Sequence, residues 1–325
     1  MRINLLLLLI FLFGSCGLQP DTYNNFPHGN DTAVTLKSMA NSSTAGVLNF
    51  EANLIFLLGS SDYLTLGYIE QGNLSFTGNG TYTITSFENV EVQPASFANA
   101  MILVDQSGSY ADVDSKNMRS KGINKLLHDL GQYNFLLGGF SKGGRLSAEP
   151  LELNGAFSSS ADASVPYLFD LPVRTGGQCV VYDGLMQAIE KLKTVSGPRS
   201  IIVLGHNPDQ ASMSTVDQVI AAAQLNQVAI HIIFIGLPSD AQALAKLSQS
   251  TGGLFSLCTE AEMITSFNQL KGMLADKRFI YKVKVKFVPT GGTVIPGSET
   301  FHQVNVHDAI HDVEFNPLQL YLKAP

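Results

Sequence analysis

The stretch Ala100-Met101-Ile102-Leu103-Val104-Asp105-Gln106-Ser107-Gly108-Ser109 decides how this chain is read. Five apolar residues in succession, ending on an acid, describe a strand buried on both faces, as in a parallel sheet. The loop past such a strand's carboxyl end is where open α/β sheets bind ligands. There Asp105, Ser107 and Ser109 alternate, so three side-chain oxygens can turn toward one point. Hard oxygens suit Mg²⁺, Mn²⁺ or Ca²⁺. The same residues also fit a polar turn capping the next helix, and the rest of the chain arbitrates.

Outward from this segment, apolar runs at 134–140, 200–205, 228–235 and 254–258 alternate with amphipathic stretches. Ile123, Leu126, Leu127 and Leu130 keep a helical stripe, and Leu185-Ile189-Leu192 and Phe267-Leu270-Leu274 repeat it. Alternating strands and helices predict an α/β domain over residues 97–276, a doubly wound, mainly parallel sheet with helices on both faces.

The flanks have period two instead. Leu48, Phe50, Ala52, Leu54 and Phe56 share one face, as do Phe279, Tyr281, Val283, Val285 and Phe287, with Lys282, Lys284 and Lys286 opposite. Residues 36–96 and 277–325 are each a marginal core alone. They are expected to pair into one β-sandwich interrupted by the α/β insertion; two separate small β modules are the alternative.

Residues 1–15 read as a signal peptide: Met1-Arg2, then an apolar core from Leu5 to Phe13, then small residues. That core is shorter than the ~20 residues a spanning helix needs. Leu12-Phe13-Gly14-Ser15-Cys16 resembles a bacterial lipobox, which makes Cys16 the lipidated residue and 16–35 a lipidated N-terminus and tether. Several acyl chains at ~0.8 kcal/mol per buried CH₂ hold a protein firmly on a membrane. Gly17 in place of Asp favours a bacterial outer-membrane or cell-surface location, while ordinary cleavage leaves the protein secreted or periplasmic. With 14% charged residues and a net charge of -7, the 325-residue chain is a poor partner for nucleic acid.

Five segments then occur in a telling order: Met101–Ser109, Tyr133–Ser141, Gly176–Leu185, Arg199–Asn207, and Ile230–Gly236 followed by Leu247–Phe255. Together they resemble a von Willebrand factor type A (VWA) domain across residues 97–276. The resemblance implies a Rossmann-like fold with a metal-ion-dependent adhesion site of Asp105, Ser107 and Ser109 completed by a Thr and a second Asp. Here Cys179 stands where the family places Thr, and His206 where it places Asp. A thiol and an imidazole are softer donors than the oxygens they replace, so the site is partly degenerate.

The expectation is a non-enzymatic surface lipoprotein that binds a protein or surface ligand through its loops. Asp105, Tyr110, Cys179 and His206 are the expected contacts, with Mg²⁺ or Mn²⁺ bound weakly or lost. One variant keeps weak Mg²⁺ on Ser107, Ser109 and a water held by Asp105, completed by a carboxylate of the partner. Two rivals use the altered residues. Cys179, His206 and Asp105 could hold Zn²⁺, or Cys179 could act as nucleophile with His206 as base and Asp105 orienting it. A Cys179–Cys258 disulfide, left open by the sequence, would remove both. His307-Asp308-Ala309-Ile310-His311 has helical ligand spacing but falls among expected strands, and reads as a turn with two solvated imidazoles.

Overall fold

Strand placement follows the hydrophobic pattern closely. The computed structural model describes residues 32–325 apart from 45, 59–63, 109, 174, 237, 276, 292, 311, 312, 316 and 317. The signal peptide, Cys16 and residues up to 31 of the tether lie outside the described residues.

In chain order, β1 (Thr32–Thr44), β2 (Val47–Leu58), β3 (Leu64–Thr65), β4 (Leu74–Thr77) and β5 (Gly80–Val92) come first. The α/β part follows: β6 (Ala98–Asp105), α1 (Tyr110–Val113), α2 (Met118–Asp129), β7 (Tyr133–Phe140), β8 (Leu151–Leu153), α3 (Val165–Asp170), α4 (Val181–Leu192), β9 (Arg199–Gly205), α5 (Val216–Leu225), β10 (Val228–Ile235), α6 (Pro238–Thr251), β11 (Phe255–Cys258) and α7 (Met263–Ala275). β12 (Arg278–Pro289), β13 (Glu299–Asp308), β14 (Val313–Glu314) and β15 (Leu318–Lys323) close the chain. β8 and α3 were not anticipated from sequence. β1 begins at Thr32, so the last residues assigned to the tether are strand.

The α/β sheet has the order β11-β10-β9-β6-β7-β8, parallel throughout except for β8, which runs antiparallel to β7. Every residue of β6 is buried. Ala100, Ile102 and Val104 face a core shared with α2, α3 and α7, while Met101 and Leu103 face one shared with α4, α5 and α6. This double burial is why the segment is apolar without alternation. The chain runs from β6 to β7 on one side and later places β9 on the other. The order therefore reverses between β6 and β9, and the crevice at their carboxyl ends is the expected ligand position of such sheets.

The flanking tracts join as one sandwich. β12 pairs antiparallel with both β2 and β5, in a sheet ordered β1-β2-β12-β5 with β3 on β2. The facing sheet is β14-β13-β15 with β4 on β13. Leu48, Phe50 and Leu54 of β2 with Val283 and Val285 of β12 pack against Val304 and Leu320 across the gap. Past Leu54 the alternation stops because Ile55 and Leu57 turn their side chains into the α/β core instead. The insertion is thus welded to the sandwich by apolar contact as well as by two chain crossings.

His307 corrects one sequence expectation. It lies in β13, on no turn, with Nδ1 3.0 Å from Glu314 Oε1 across the hairpin; His311 is outside the described residues. Among the described residues no helix is long and apolar enough to cross a membrane.

Candidate functional site

Asp105 is the last residue of β6, fully buried at the β6/β9 crevice. Its Oδ1 accepts the Ser107 N–H at 2.8 Å, and Oδ2 accepts the N–H groups of His206 and Asn207, both at 3.3 Å. One carboxylate therefore ties the loop after β6 to the loop after β9. Burial raises its pKa, and the Ser107 hydroxyl, followed by the N–H donors of Ser107, Asn207 and His206, opposes that shift. Behind it, the Arg119 guanidinium of α2 donates to the Asp105 carbonyl at 3.3 Å and pairs with Asp114 at 3.2 Å, both side chains buried.

Backbone bonds add the third loop. Gly108 N–H donates to the Gly177 carbonyl at 3.1 Å, and Gly176 N–H to the Gln106 carbonyl at 2.7 Å. Gly177 has φ +77°, and a Cβ there would stand 2.3 Å from the Lys142 carbonyl oxygen, so only glycine fits this crossing. The loop after β9 is stapled to α4 as well. Asp183 accepts the N–H groups of Met213 and Ser214 at 2.9 Å each. Burial raises the Asp183 pKa, but these donors prevail and hold it below the usual carboxylate range.

Asn207 was missed by the sequence reading. Its side-chain amide donates to Ser107 Oγ at 2.8 Å and so fills the place that the sequence pattern gives to His206. His206 is turned aside, Nδ1 2.6 Å from the Ile235 carbonyl oxygen at the end of β10. The register differs by one because both N–H groups past Gly205 point at Asp105, and the side chain that then overlies Ser107 belongs to the second of them. A short polar residue beside the expected position was the only available signal.

Cys179 is 1% exposed and packs among apolar residues under the 207–211 loop. Its N–H donates to Gln210 Oε1 at 2.9 Å and its thiol to the Asn207 carbonyl at 3.5 Å. Burial pushes the thiol pKa far up, and the negative charges of Asp105 and Asp209 add to the shift. A thiol kept protonated is neither a nucleophile nor a ready metal ligand. Cys258 is also a free, buried thiol, and the two cysteines belong to cores on opposite faces of the sheet, which answers the disulfide question.

These placements correct two expected contacts: Asp105 and Cys179 lie beneath the surface and cannot touch a partner. Ser109 lies outside the described residues, and Tyr110 opens α1. The outer surface of the site consists of Gly108, Gly177, Gln178, Pro208, Gln210 and Met213, all exposed. Met213 stands out at 89% exposure.

Among the described residues the candidate hard donors are engaged within the protein: the Asp105 carboxylate accepts the N–H groups of Ser107, His206 and Asn207, and Ser107 Oγ takes an amide proton from Asn207. As for Zn²⁺, among the described residues no group of three or more His, Cys, Asp or Glu side chains is placed to hold a metal ion.

The α/β domain has the doubly wound, mainly parallel Rossmann-like sheet expected from sequence, accompanied by the additional β-sheets. No protein-family model matches the chain, and no curated protein does. Among solved structures it is similar to a von Willebrand factor type A protein from Catenulispora acidiphila, at 12% identity and TM-score 0.47, over 93% of this chain and 74% of that one. It is also similar to proximal thread matrix protein 1 of the mussel byssus with a zinc-occupied MIDAS motif, at 13% identity and TM-score 0.47, over 61% of this chain and 50% of that one. A third is the VWA domain of SpRpn10, at 18% identity and TM-score 0.40, over 53% of this chain and 95% of that domain.

Proposed function

We propose that this chain is a non-catalytic binding module that engages a protein through the three loops at the carboxyl edge of its α/β sheet, with no metal required. The observation that carries this reading is the internal bracing of the crevice loops. Asp105, Ser107 and Asn207 bond to one another and to backbone, which leaves a pre-formed surface rather than an open coordination shell. Pre-formed loops lose little conformational entropy on binding. Met213 supplies an exposed, adaptable apolar anchor beside the polar Gln178 and Gln210. On this reading the enzymatic alternatives fail because Cys179 is protonated and covered.

The same proposal places the protein on a bacterial outer membrane or cell surface, held by lipid on Cys16 and spaced from the bilayer by the residues before β1. Cys16→Ser then releases it from the membrane fraction into the soluble one; unchanged membrane retention overturns the anchor.

The binding reading is tested by placing a photo-crosslinking amino acid at position 213 or 178, with position 295 on the sandwich as control, in cells that make the protein. Defined adducts from 213 and 178, insensitive to chelator and absent from 295, are the expected result. Equal labelling from all three positions, or adducts lost on chelation, overturns it.

A further inference from the structure

At the amino edge of the α/β sheet, opposite the loops described above, lies a cavity of about 300 Å³. That volume is at the lower end for small-molecule pockets. Its walls come from both crossings between the domains: Val92 and Ala95 where the chain leaves the sandwich, and Met273, Leu274 and Arg278 where it returns. Ser200 of β9 and His231 of β10 line it deep in the fold, at 6% and 3% exposure.

The polar groups of this cavity are donors in search of an acceptor. Ser200 Oγ, Arg199 Nε and Arg278 Nε are buried and meet no hydrogen-bond partner among the described residues. Arg278 Nη1 donates to the Met273 carbonyl at 2.7 Å, which fixes that guanidinium against the wall. His231 Nδ1 accepts the Leu254 N–H at 3.0 Å, so the ring proton sits on Nε2. Burial, with the Arg278 charge adding to it, pulls the His231 pKa down to about 3, so this ring offers an N–H without a charge. None of the described residues lining the cavity is Asp or Glu, in a chain with 27 acidic residues and a net charge of -7. Buried polar groups are normally satisfied, and two guanidiniums with no carboxylate opposite them among the described residues are the exception that calls for a ligand.

We infer that this cavity binds a small organic acid, its carboxylate seated against Arg199, Arg278, Ser200 and His231 and its apolar body against Val92, Ala98 and Leu274. Charge-assisted bonds from arginine suit a carboxylate, and the apolar wall distinguishes such a ligand from a compact inorganic oxyanion. The bound acid touches both crossings and so braces the insertion against the sandwich.

Calorimetric titration of the purified chain tests this with benzoate, its neutral isostere benzamide, and inorganic phosphate. Benzoate is expected to bind one to one, with benzamide and phosphate at least tenfold weaker. Ser200→Ala should weaken benzoate several-fold, and Arg278→Met at least tenfold. Where Arg278→Met fails to fold, as judged by circular dichroism, Arg199→Met carries the same expectation. Benzamide binding as well as benzoate, phosphate binding in its place, no heat with millimolar benzoate, or affinity unchanged in Ser200→Ala and Arg199→Met would each overturn the assignment.

Discussion

The Asn207 side chain donates to Ser107 Oγ at 2.8 Å, across the crevice where the strand order reverses. This contact joins the two loops that a metal ion would otherwise bridge. A carboxylate at 207 in its place would present an oxygen to Ser107 and remake a hard-donor pair. Cys179→Thr adds a hydroxyl where the thiol now donates to the Asn207 carbonyl. The double variant Cys179→Thr/Asn207→Asp should therefore gain a Mg²⁺ response, on the proposed reading one that the natural chain does not show. At 100 times Kd the gain is ~2.7 kcal/mol. Melting curves with Mg²⁺ and with chelator check it; a Mg²⁺ response in the unaltered chain would contradict the bracing role of Asn207.

Arg119 holds the crevice from behind. Its Nε pairs with Asp114 Oδ2 at 3.2 Å, and Asp114 also accepts the Met118 N–H at 2.5 Å at the start of α2. Breaking a buried pair strands the remaining charge, at a cost of ~3–5 kcal/mol. Arg119→Met should lose stability on that scale in urea denaturation. Arg119→Met/Asp114→Asn should recover part of it, because the amide oxygen still caps α2 without a buried charge. No recovery would mean that the Arg119 bond to the Asp105 carbonyl carries most of the effect.

Much of this fold was legible because burial leaves a periodic trace. Ala100–Val104 is unbroken since both faces of β6 are covered, and Lys282, Lys284 and Lys286 alternate since one face of β12 meets water. The site was only half legible. That Asp105 and Ser107 share one end of a strand follows from local order, but which residue overlies Ser107 depends on the path of the chain past Gly205. The burial of Cys179 depends on Gln210, a partner 31 residues away. Met213 was invisible for another reason: an apolar residue in a loop reads as core until its exposure is seen. β8 spans three residues, too few for any period to register.

Gly177 tests whether the three loops act as one unit. Its φ of +77° is strained for any side chain, and the Lys142 carbonyl occupies the space a Cβ would need. Gly177→Ala should cost about 1–3 kcal/mol from backbone conformation alone. The bonds between Lys142 and Gln178, at 3.0 and 2.9 Å, should loosen with it. Thermal melting reads the loss. Crosslinking from position 213 should fall as well if the surface is held by this crossing, and should persist if each loop stands by itself.

Two buried histidines set the acid limit of stability. Burial lowers the pKa of His231 to about 3, with the Arg278 charge adding to the shift, and burial alone lowers that of His302 to about 4. His302 sits in the sandwich, stacked on Phe50 and bonded to the Tyr82 hydroxyl at 2.9 Å. A histidine held neutral in the fold contributes stability above its unfolded pKa near 6.5, and loses it as pH falls toward the folded value. Each proton taken up only on unfolding gives a slope of ~1.4 kcal/mol per pH unit. Asp105, raised by burial, works in the opposite sense: its contribution is present at low pH and is lost as pH rises through its folded pKa. Because the carboxyl and the imidazoles oppose one another, the difference between two chains isolates the histidine. Between pH 6.5 and 5 His302→Asn, less stable at neutral pH, should lose stability less steeply than the natural chain, by up to ~1.4 kcal/mol per pH unit. Urea midpoints at half-unit pH steps decide this, and equal slopes for the two chains would mean that His302 takes up its proton in the fold as readily as in the unfolded chain.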